Sequence, residues 1–298
     1  METFSYCGHE LIAVNHEYTN NDINLPAAQE GVPAGAEDVL KLQNLQGVTV
    51  MEVAEDENGW KIVVDSPFNR RIHHNTPMAL VGPAAGHALL QTSADATGTM
   101  ALGTLNNCGS GKTPWGTYLM AEENFNGYFW GKDAVAGHPE EANLKRYGAP
   151  GEWYAWGKFI DRYDISKEPH EPNRFGWIVE VDPMDPASTP KKRTSLGRFK
   201  HEGAETIVNK DGRVVVYMGD DERGEFMFKF VSNGVYTPGG STEGLLDDGQ
   251  LYAAKFNDDM TGEWLALTPE STGMDAAEIL IFARTAGSAV GATTMDRP

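Results

Sequence analysis

The clearest structural signal in the chain is a pair of apolar segments around an acidic turn. It consists of Val214-Val215-Val216-Tyr217-Met218, then Gly219-Asp220-Asp221-Glu222-Arg223-Gly224, then Phe226-Met227-Phe228-Lys229-Phe230. β-Branched and aromatic residues favour strands, whereas glycine and aspartate between them favour a turn. The pattern predicts a β-hairpin with several carboxylates at its tip.

Six further segments have the same apolar composition and are bounded by turn residues. They are residues 11–15, 60–65, 116–121, 176–181, 251–256 and 263–267. Helical periodicity is confined to residues 275–285, which Thr272 or Asp275 can cap, and to residues 37–46. Strands without intervening helices argue against a parallel βαβ sheet. We therefore predict an all-β chain with one or two short helices. A β-propeller and a large β-sandwich both remain open from this pattern, with the propeller favoured.

The composition excludes two classes of partner. The chain has 298 residues, with 24 Lys and Arg against 43 Asp and Glu, which gives a net charge of −19. Nucleic-acid binding requires positive charge against phosphate, and an anionic membrane surface would repel this protein. No apolar stretch approaches the roughly 20 residues of a membrane helix. Two cysteines cannot build a disulfide framework in a chain of this length.

Three motifs resemble known sites but are incomplete. Gly109-Ser110-Gly111-Lys112-Thr113 has the end of a phosphate-binding P-loop, yet Asn106 stands where the first glycine is required. His201-Glu202-Gly203-Ala204-Glu205 begins like a zinc-protease helix but lacks its second histidine. The Asp-rich turns lack the full ligand spacing of an EF-hand loop. None of these motifs predicts a function.

Carboxylates recur where a predicted strand runs into a turn. The sites are Glu17, Glu122-Glu123, Glu202 and Asp220-Asp221-Glu222. Any one of them can be an ordinary polar turn. In a propeller, however, strand ends from separate blades converge on the axis, and several carboxylates there would repel one another without cations. Oxygen ligands of this kind select Ca²⁺, Mg²⁺ or trivalent iron.

Cys108 is predicted to lie in a similar turn, within Leu105-Asn106-Asn107-Cys108-Gly109. A thiolate there would select a transition metal beside the oxygen-bound ions. The alternative is a small buried residue, because free cysteine is among the most buried residue types.

Several long strings of residues resemble segments of the PhoX-type alkaline phosphatases. The strings are Asn15-His16-Glu17-Tyr18, Gly103-Thr104-Leu105-Asn106-Asn107-Cys108, Thr113-Pro114-Trp115-Gly116-Thr117-Tyr118, Glu122-Glu123-Asn124-Phe125-Asn126-Gly127-Tyr128-Phe129, Asn173-Arg174-Phe175-Gly176-Trp177, Gly197-Arg198-Phe199-Lys200-His201-Glu202-Gly203-Ala204, Val216-Tyr217-Met218-Gly219-Asp220-Asp221-Glu222-Arg223 and Met295-Asp296-Arg297-Pro298. The resemblance runs from about Leu11 to the last residue and is weaker across residues 29–53.

This resemblance implies a six-bladed β-propeller that hydrolyses phosphate monoesters at an axial site holding Fe³⁺ and Ca²⁺. Cys108 and Glu202 would be ligands of iron. The calcium ligands would be Glu17, Glu123, Asp221 and Asp220. Arg297 would bind the substrate phosphate, because its planar guanidinium can pair with two phosphate oxygens.

Members of this family are longer than 298 residues and carry a twin-arginine export leader. We therefore expect residues 1–298 to be part of a single propeller domain that is truncated at both ends, with little activity alone. The full-length protein is expected to be periplasmic or secreted and monomeric. Its partners would be small phosphate monoesters.

Two other functions fit the same residues. A calcium-dependent propeller phosphotriesterase or lactonase would use Ca²⁺ without iron. A non-catalytic propeller that serves as a binding module would have acidic turns that are merely solvated, and Ca²⁺ would not stabilise it.

Overall fold

Eighteen strands and six helices follow one another along the chain, and the computed structural model describes all of residues 1–298. The strands are β1 (Glu2–Tyr6), β2 (His9–His16), β3 (Gly47–Asp56), β4 (Gly59–Ile62), β5 (Arg70–Ile72), β6 (Pro77–Val81), β7 (Met100–Leu102), β8 (Asn107–Lys112), β9 (Tyr118–Glu122), β10 (Ile178–Val181), β11 (Lys191–Arg193), β12 (Glu205–Val208), β13 (Arg213–Gly219), β14 (Arg223–Glu225), β15 (Met227–Val235), β16 (Gly249–Phe256), β17 (Gly262–Ala266) and β18 (Met295–Asp296). The helices are α1 (Asn21–Asn24), α2 (Ala36–Leu45), α3 (Glu141–Tyr147), α4 (Pro269–Thr272), α5 (Ala276–Ile281) and α6 (Ala283–Ala289).

These strands form three main sheets and one small ribbon. The first sheet has the order β1-β2-β3-β4, with β5 also paired to β3. The second has the order β7-β6-β11-β10-β9-β8, and the third β12-β13-β15-β16-β17. Strands β14 and β18 form the ribbon. Only β6 and β11 pair in parallel. The prediction of a mostly β chain is confirmed, with six short helices where one or two were expected.

The acidic hairpin is present as predicted. Strands β13 and β15 pair antiparallel, with Val216 opposite Phe230, and the short β14 forms within the turn between them. The other six predicted strand segments also overlap strands. Runs of β-branched and aromatic residues bounded by turn residues therefore predicted these strands correctly.

Ten of the eighteen strands lie outside the predicted strand segments, and the longest of them are β3 and β8. Strand β3 contains ten residues and pairs with β2, β4 and β5. Strand β8 contains Asn107, Gly109 and Gly111, which are residues typical of a turn. The prediction that Cys108 lies in a turn is therefore wrong. Cys108 lies in β8, where a register shift between Asn107 and Ser110 interrupts the pairing with β9.

The predicted helix at residues 37–46 is confirmed as α2. The single helix predicted for residues 275–285 is instead two helices, because Phe282 leaves the helical conformation at φ −120°, ψ 50°. Asp275 caps α5 by accepting a hydrogen bond from the amide of Ala277. None of the helices has the length and hydrophobicity that a membrane span requires.

Strand β9 joins the two apolar cores of the molecule, and its five residues are all buried. Leu119 and Ala121 belong to a large core that extends across the second and third sheets. Tyr118 and Met120 belong to a smaller core between the first and second sheets. Burying a large apolar side chain stabilises the fold by about 1.5–3 kcal/mol. The end of β9, which carries the Glu122-Glu123 pair, is therefore held from both sides.

Candidate metal centre

Five side chains from separate segments of the chain meet in one cluster, although Glu202 does not follow a strand as the sequence predicts. Glu17, Cys108 and Glu123 form one group, and Glu123, Glu202 and Asp221 form a second. Within each group the possible ligand atoms all lie within 4.8 Å of one another. Glu17 follows β2, Glu123 follows β9 and Asp221 follows β13, as expected for strand ends that converge. Because Glu123 belongs to both groups, the two candidate cation positions are adjacent.

Backbone hydrogen bonds connect the segments that carry these side chains. The amide of Glu123 donates to the carbonyl of Asn106 (3.0 Å), two residues before Cys108. The amide of His201 donates to the carbonyl of Glu122 (3.0 Å), and the amide of Asp221 donates to the carbonyl of Lys200 (2.9 Å). These bonds hold the backbones of the ligand-bearing segments next to one another.

Asn15 fastens the end of β2 to β8. Its amide nitrogen Nδ2 donates to the carbonyls of Cys108 (3.1 Å) and Gly109 (2.9 Å). Its oxygen Oδ1 accepts a hydrogen bond from the hydroxyl of Tyr118 (2.9 Å). This bridge brings Glu17, two residues after Asn15, beside Cys108.

The glycines of β8 allow it to approach the Glu202 segment closely. A Cβ on Gly109 would overlap the carbonyl oxygen of Glu202, and a Cβ on Gly111 would overlap that of Ala204. With no side chain in the way, the Cys108 thiol donates to Oε1 of Glu202 at 3.5 Å. The residues that resemble part of a P-loop thus serve close backbone packing.

The electrostatics of the cluster fit a bound cation. Burial, together with the neighbouring Asp221 carboxylate, raises the pKa of Glu123 to about 8. Burial and the Glu202 carboxylate also raise the pKa of Glu17. Burial and the charge of Glu17 raise the pKa of the Cys108 thiol. All three shifts disfavour the negatively charged form of these groups, and a bound cation would counteract that effect. The donor set of four carboxylates and one sulfur suits hard cations together with a transition metal.

Arg297 lies at the edge of the cluster. Its Nε and Nη2 donate to both carboxylate oxygens of Asp221, and more than half of its side chain is exposed. This ion pair lowers the pKa of Asp221. The structure thus places the predicted phosphate-binding residue beside the second group of candidate ligands.

Asp220 lies outside both groups. Its two carboxylate oxygens each accept a hydrogen bond of 2.7 Å from Arg284, and both side chains are fully buried. Asp220 and Asp221 therefore have different surroundings although they are adjacent. The ligand roles assigned to the individual residues remain predictions.

Sequence reasoning does not single out Asn15, Asn106 or Arg284. The two asparagines lie inside the strings that carry the family resemblance, but their contacts depend on pairing between distant strands. Arg284 lies in a segment predicted only as a helix, and its partner Asp220 is 64 residues away. No local pattern could have identified it.

Taken together, the fold and the cluster define a β-sheet protein with an acidic, thiol-containing candidate metal site at its converging strand ends. A family model described as alkaline phosphatase PhoX matches residues 1–298, and the chain belongs to that family. A comparison with curated proteins finds no match.

A solved structure, Pseudomonas fluorescens PhoX in complex with vanadate, a transition state analogue, is similar over nearly the whole chain. The sequence identity is 46% and the TM-score 0.93, over 99% of this chain and 54% of that chain. This chain thus spans about half the length of that protein. The likeness confirms the predicted all-β propeller fold and the family resemblance, while the number of blades and the domain limits remain predictions.

Proposed function

We propose that this chain forms the metal centre of a phosphate monoesterase of the alkaline phosphatase type, which releases inorganic phosphate. The observation that carries the proposal is the position of Arg297 beside two adjacent groups of candidate metal ligands. Cations next to a guanidinium match the charge of a phosphoryl group. The similar PhoX structure, which holds a vanadate transition state analogue, supports the same chemistry.

We assign Fe³⁺ and Ca²⁺ to the cluster. Cys108 and Glu202 would hold iron, because a thiolate selects a transition metal and these two side chains are in contact. Glu17, Glu123 and Asp221 would hold calcium through their carboxylates. Bound there, the metals would supply positive charge to the transferring phosphoryl group. Asp220 is not included, because it lies outside both ligand groups and its fully buried carboxylate pairs with Arg284.

Arg297 would orient the substrate. Asp221 holds the guanidinium at the edge of the cluster through Nε and Nη2, and the remaining N–H groups on Nη1 and Nη2 can pair with two phosphate oxygens. Such pairing would orient the phosphate group without any contact to the alcohol part of the ester. Small phosphate monoesters are therefore the proposed substrate class.

A calcium-dependent phosphotriesterase or lactonase remains the second candidate function. The observation that separates the two candidates is the Cys108 thiol, which lies within one ligand group. A site for calcium alone needs only oxygen ligands. The thiol therefore favours the iron-containing phosphatase.

Metal analysis and phosphate binding test the proposal. The chain loaded with Fe³⁺ and Ca²⁺ is expected to retain both metals and to bind inorganic phosphate. Cys108→Ala should lose iron and keep calcium. Arg297→Gln should keep both metals and weaken phosphate binding by about tenfold or more, as expected for loss of a charge-assisted bidentate contact.

Arg223→Gln is the matched control, because Arg223 is an exposed arginine on the same ribbon, 3.7 Å from Asp296. It should leave both metals and phosphate unaffected. A calcium-only parent chain would favour the phosphotriesterase or lactonase. A parent chain whose melting temperature does not respond to Ca²⁺ would favour a binding module with solvated turns. Export to the periplasm or medium and a monomeric state are part of this proposal.

A further inference from the structure

Arg284 is a fully buried arginine on α6, and its guanidinium has partners on several sides. It donates to both oxygens of Asp220 at 2.7 Å and to the carbonyl of Arg146 at 2.9 Å. Its Cζ also lies 4.7 Å from the centroid of the Tyr147 ring. Because Nε, Nη1 and Nη2 all donate hydrogen bonds to these partners, the guanidinium is held in a single orientation.

The Asp220 partner lies at the junction of two segments that carry candidate ligands. Asp220 forms an isolated antiparallel bridge with His201, which precedes Glu202. On either side of this bridge, the amide of Glu202 donates to the carbonyl of Gly219 (3.4 Å), and the amide of Asp221 donates to the carbonyl of Lys200 (2.9 Å). Fixing the side chain of Asp220 therefore fixes the backbone from which Asp221 and Glu202 extend.

Arg284 also lies beside the ribbon that leads to Arg297. Its Nε is 3.8 Å from Oε1 of Glu225, and the Glu225 carboxylate accepts hydrogen bonds from Nε and Nη2 of Arg146 at 2.9 and 2.8 Å. Glu225 belongs to β14 and lies opposite Met295 of β18, two residues before Arg297. One buried guanidinium is thus next to both the metal-binding and the phosphate-binding sides of the cluster.

Stability alone does not account for a buried ion pair at this position. Removing two charges from water costs several kcal/mol, and an apolar pair of similar volume is often at least as stable. Partners behind metal ligands, by contrast, orient those ligands and set the affinity of the site.

We infer that Arg284 is a positioning residue, which holds Asp220 so that Asp221 and Glu202 keep the spacing needed to bind a cation. The inference rests on the proposed metal centre and adds to it a residue that contacts neither metal nor substrate. Replacing Arg284 is therefore expected to weaken cation binding and to loosen the backbone at Asp221 and Glu202, in addition to lowering the stability of the fold.

The test compares Arg284→Met with Arg174→Met. Arg174 is also buried, and it donates to the carbonyls of Leu90 and Met100, neither of which lies in a ligand segment. Arg284→Met should weaken Ca²⁺ binding by about 10–100-fold, the range for loss of a partner behind a metal ligand. Hydrogen exchange at the amides of Asp221 and Glu202 should become faster. Arg174→Met should change neither measurement, although both variants lose stability.

Parent-like Ca²⁺ affinity together with parent-like exchange in Arg284→Met would overturn the inference. Equal changes in both variants would overturn it too, because they would show a general effect of a buried arginine. If Arg284→Met does not fold, Arg284→Lys keeps the charge but not the fork, and the same two measurements decide. If the parent chain binds no Ca²⁺, the proposed function fails, whereas exchange at Asp221 and Glu202 still tests the role of Arg284.

Discussion

Gly109 has no room for a side chain, because a Cβ at this position would overlap the carbonyl oxygen of Glu202. The contact joins two backbones that are far apart in sequence, and neither can move without displacing Cys108 or Glu202. Gly203, one residue beyond Glu202, is different. A Cβ at position 203 would lie 3.6 Å from its nearest neighbour, the carbonyl oxygen of Ser110, which is ordinary van der Waals contact.

Gly109→Ala is therefore expected to destabilise the protein by about 1–3 kcal/mol through overpacking and to weaken metal binding. Gly203→Ala is the matched control and should alter neither property appreciably. Chemical denaturation gives the free energy of unfolding, and titration with Ca²⁺ gives the affinity. Equal Ca²⁺ affinity in the two variants would show that the close approach does not set the ligand geometry.

These residues also show what the sequence can and cannot predict about the site. Glu17, Glu123, Glu202 and Asp221 are recognisable as carboxylates beside predicted strand ends, and the structure brings them together. The packing role of Gly109 cannot be predicted from the sequence, because it depends on contact with a segment that is far away in the chain. Asp220 is indistinguishable from Asp221 in sequence, since only the buried Arg284 separates their surroundings.

Among the secondary-structure elements, the end of β9 depends on a buried ion pair with β11. The Glu122 carboxylate accepts hydrogen bonds from Nζ of Lys192 (2.8 Å) and from the amides of Gly176 and Trp177 (3.0 Å each). Both charged side chains are completely buried. The pair therefore connects β9, β11 and the loop before β10 directly behind Glu123.

Lys192→Met should lower the free energy of unfolding by about 3–5 kcal/mol, because it leaves the Glu122 charge buried without its cation. Lys191→Met is a matched control, since Lys191 is the exposed neighbour in the same strand. That change should stay within about 0.5 kcal/mol. Urea denaturation of the two variants distinguishes them, and similar unfolding midpoints would contradict the importance of the ion pair.

The success of strand prediction varies with the surroundings of each element. The β13–β15 hairpin has apolar residues on a face that packs against a core, so its pattern is visible. Strand β8 has no such pattern, because its glycines lie against neighbouring backbone where a side chain would not fit. The break between α5 and α6 at Phe282 also leaves no signal, since the apolar spacing continues through it.

Across the whole molecule, the order of the sheets could not be predicted from the strands. The parallel pairing of β6 with β11 places side by side two segments more than a hundred residues apart. Such pairing follows from how whole sheets pack, which local propensity does not report. The family resemblance supplies the fold class where strand patterns alone leave a propeller and a sandwich open.

The net charge of −19 is partly concentrated in the cluster, and this makes stability depend on pH and metal together. The pKa of Glu123 is raised from 4.5 to about 8 in the folded protein. Between these values the folded state binds more protons than the unfolded state, so stability falls as the pH rises toward 8. A bound cation removes this penalty, because it replaces the proton.

We therefore expect the melting temperature of the metal-free chain to fall between pH 6.5 and pH 8.5 by more than that of Glu123→Gln, which has no proton to lose at this position. The variant is the necessary reference because Lys192, whose pKa burial lowers to about 8, titrates in the same range and contributes equally to both proteins. Added Ca²⁺ should raise the melting temperature of the parent more at pH 8.5 than at pH 6.5. Parallel pH profiles for parent and variant would mean that Glu123 does not hold a proton in the folded, metal-free protein.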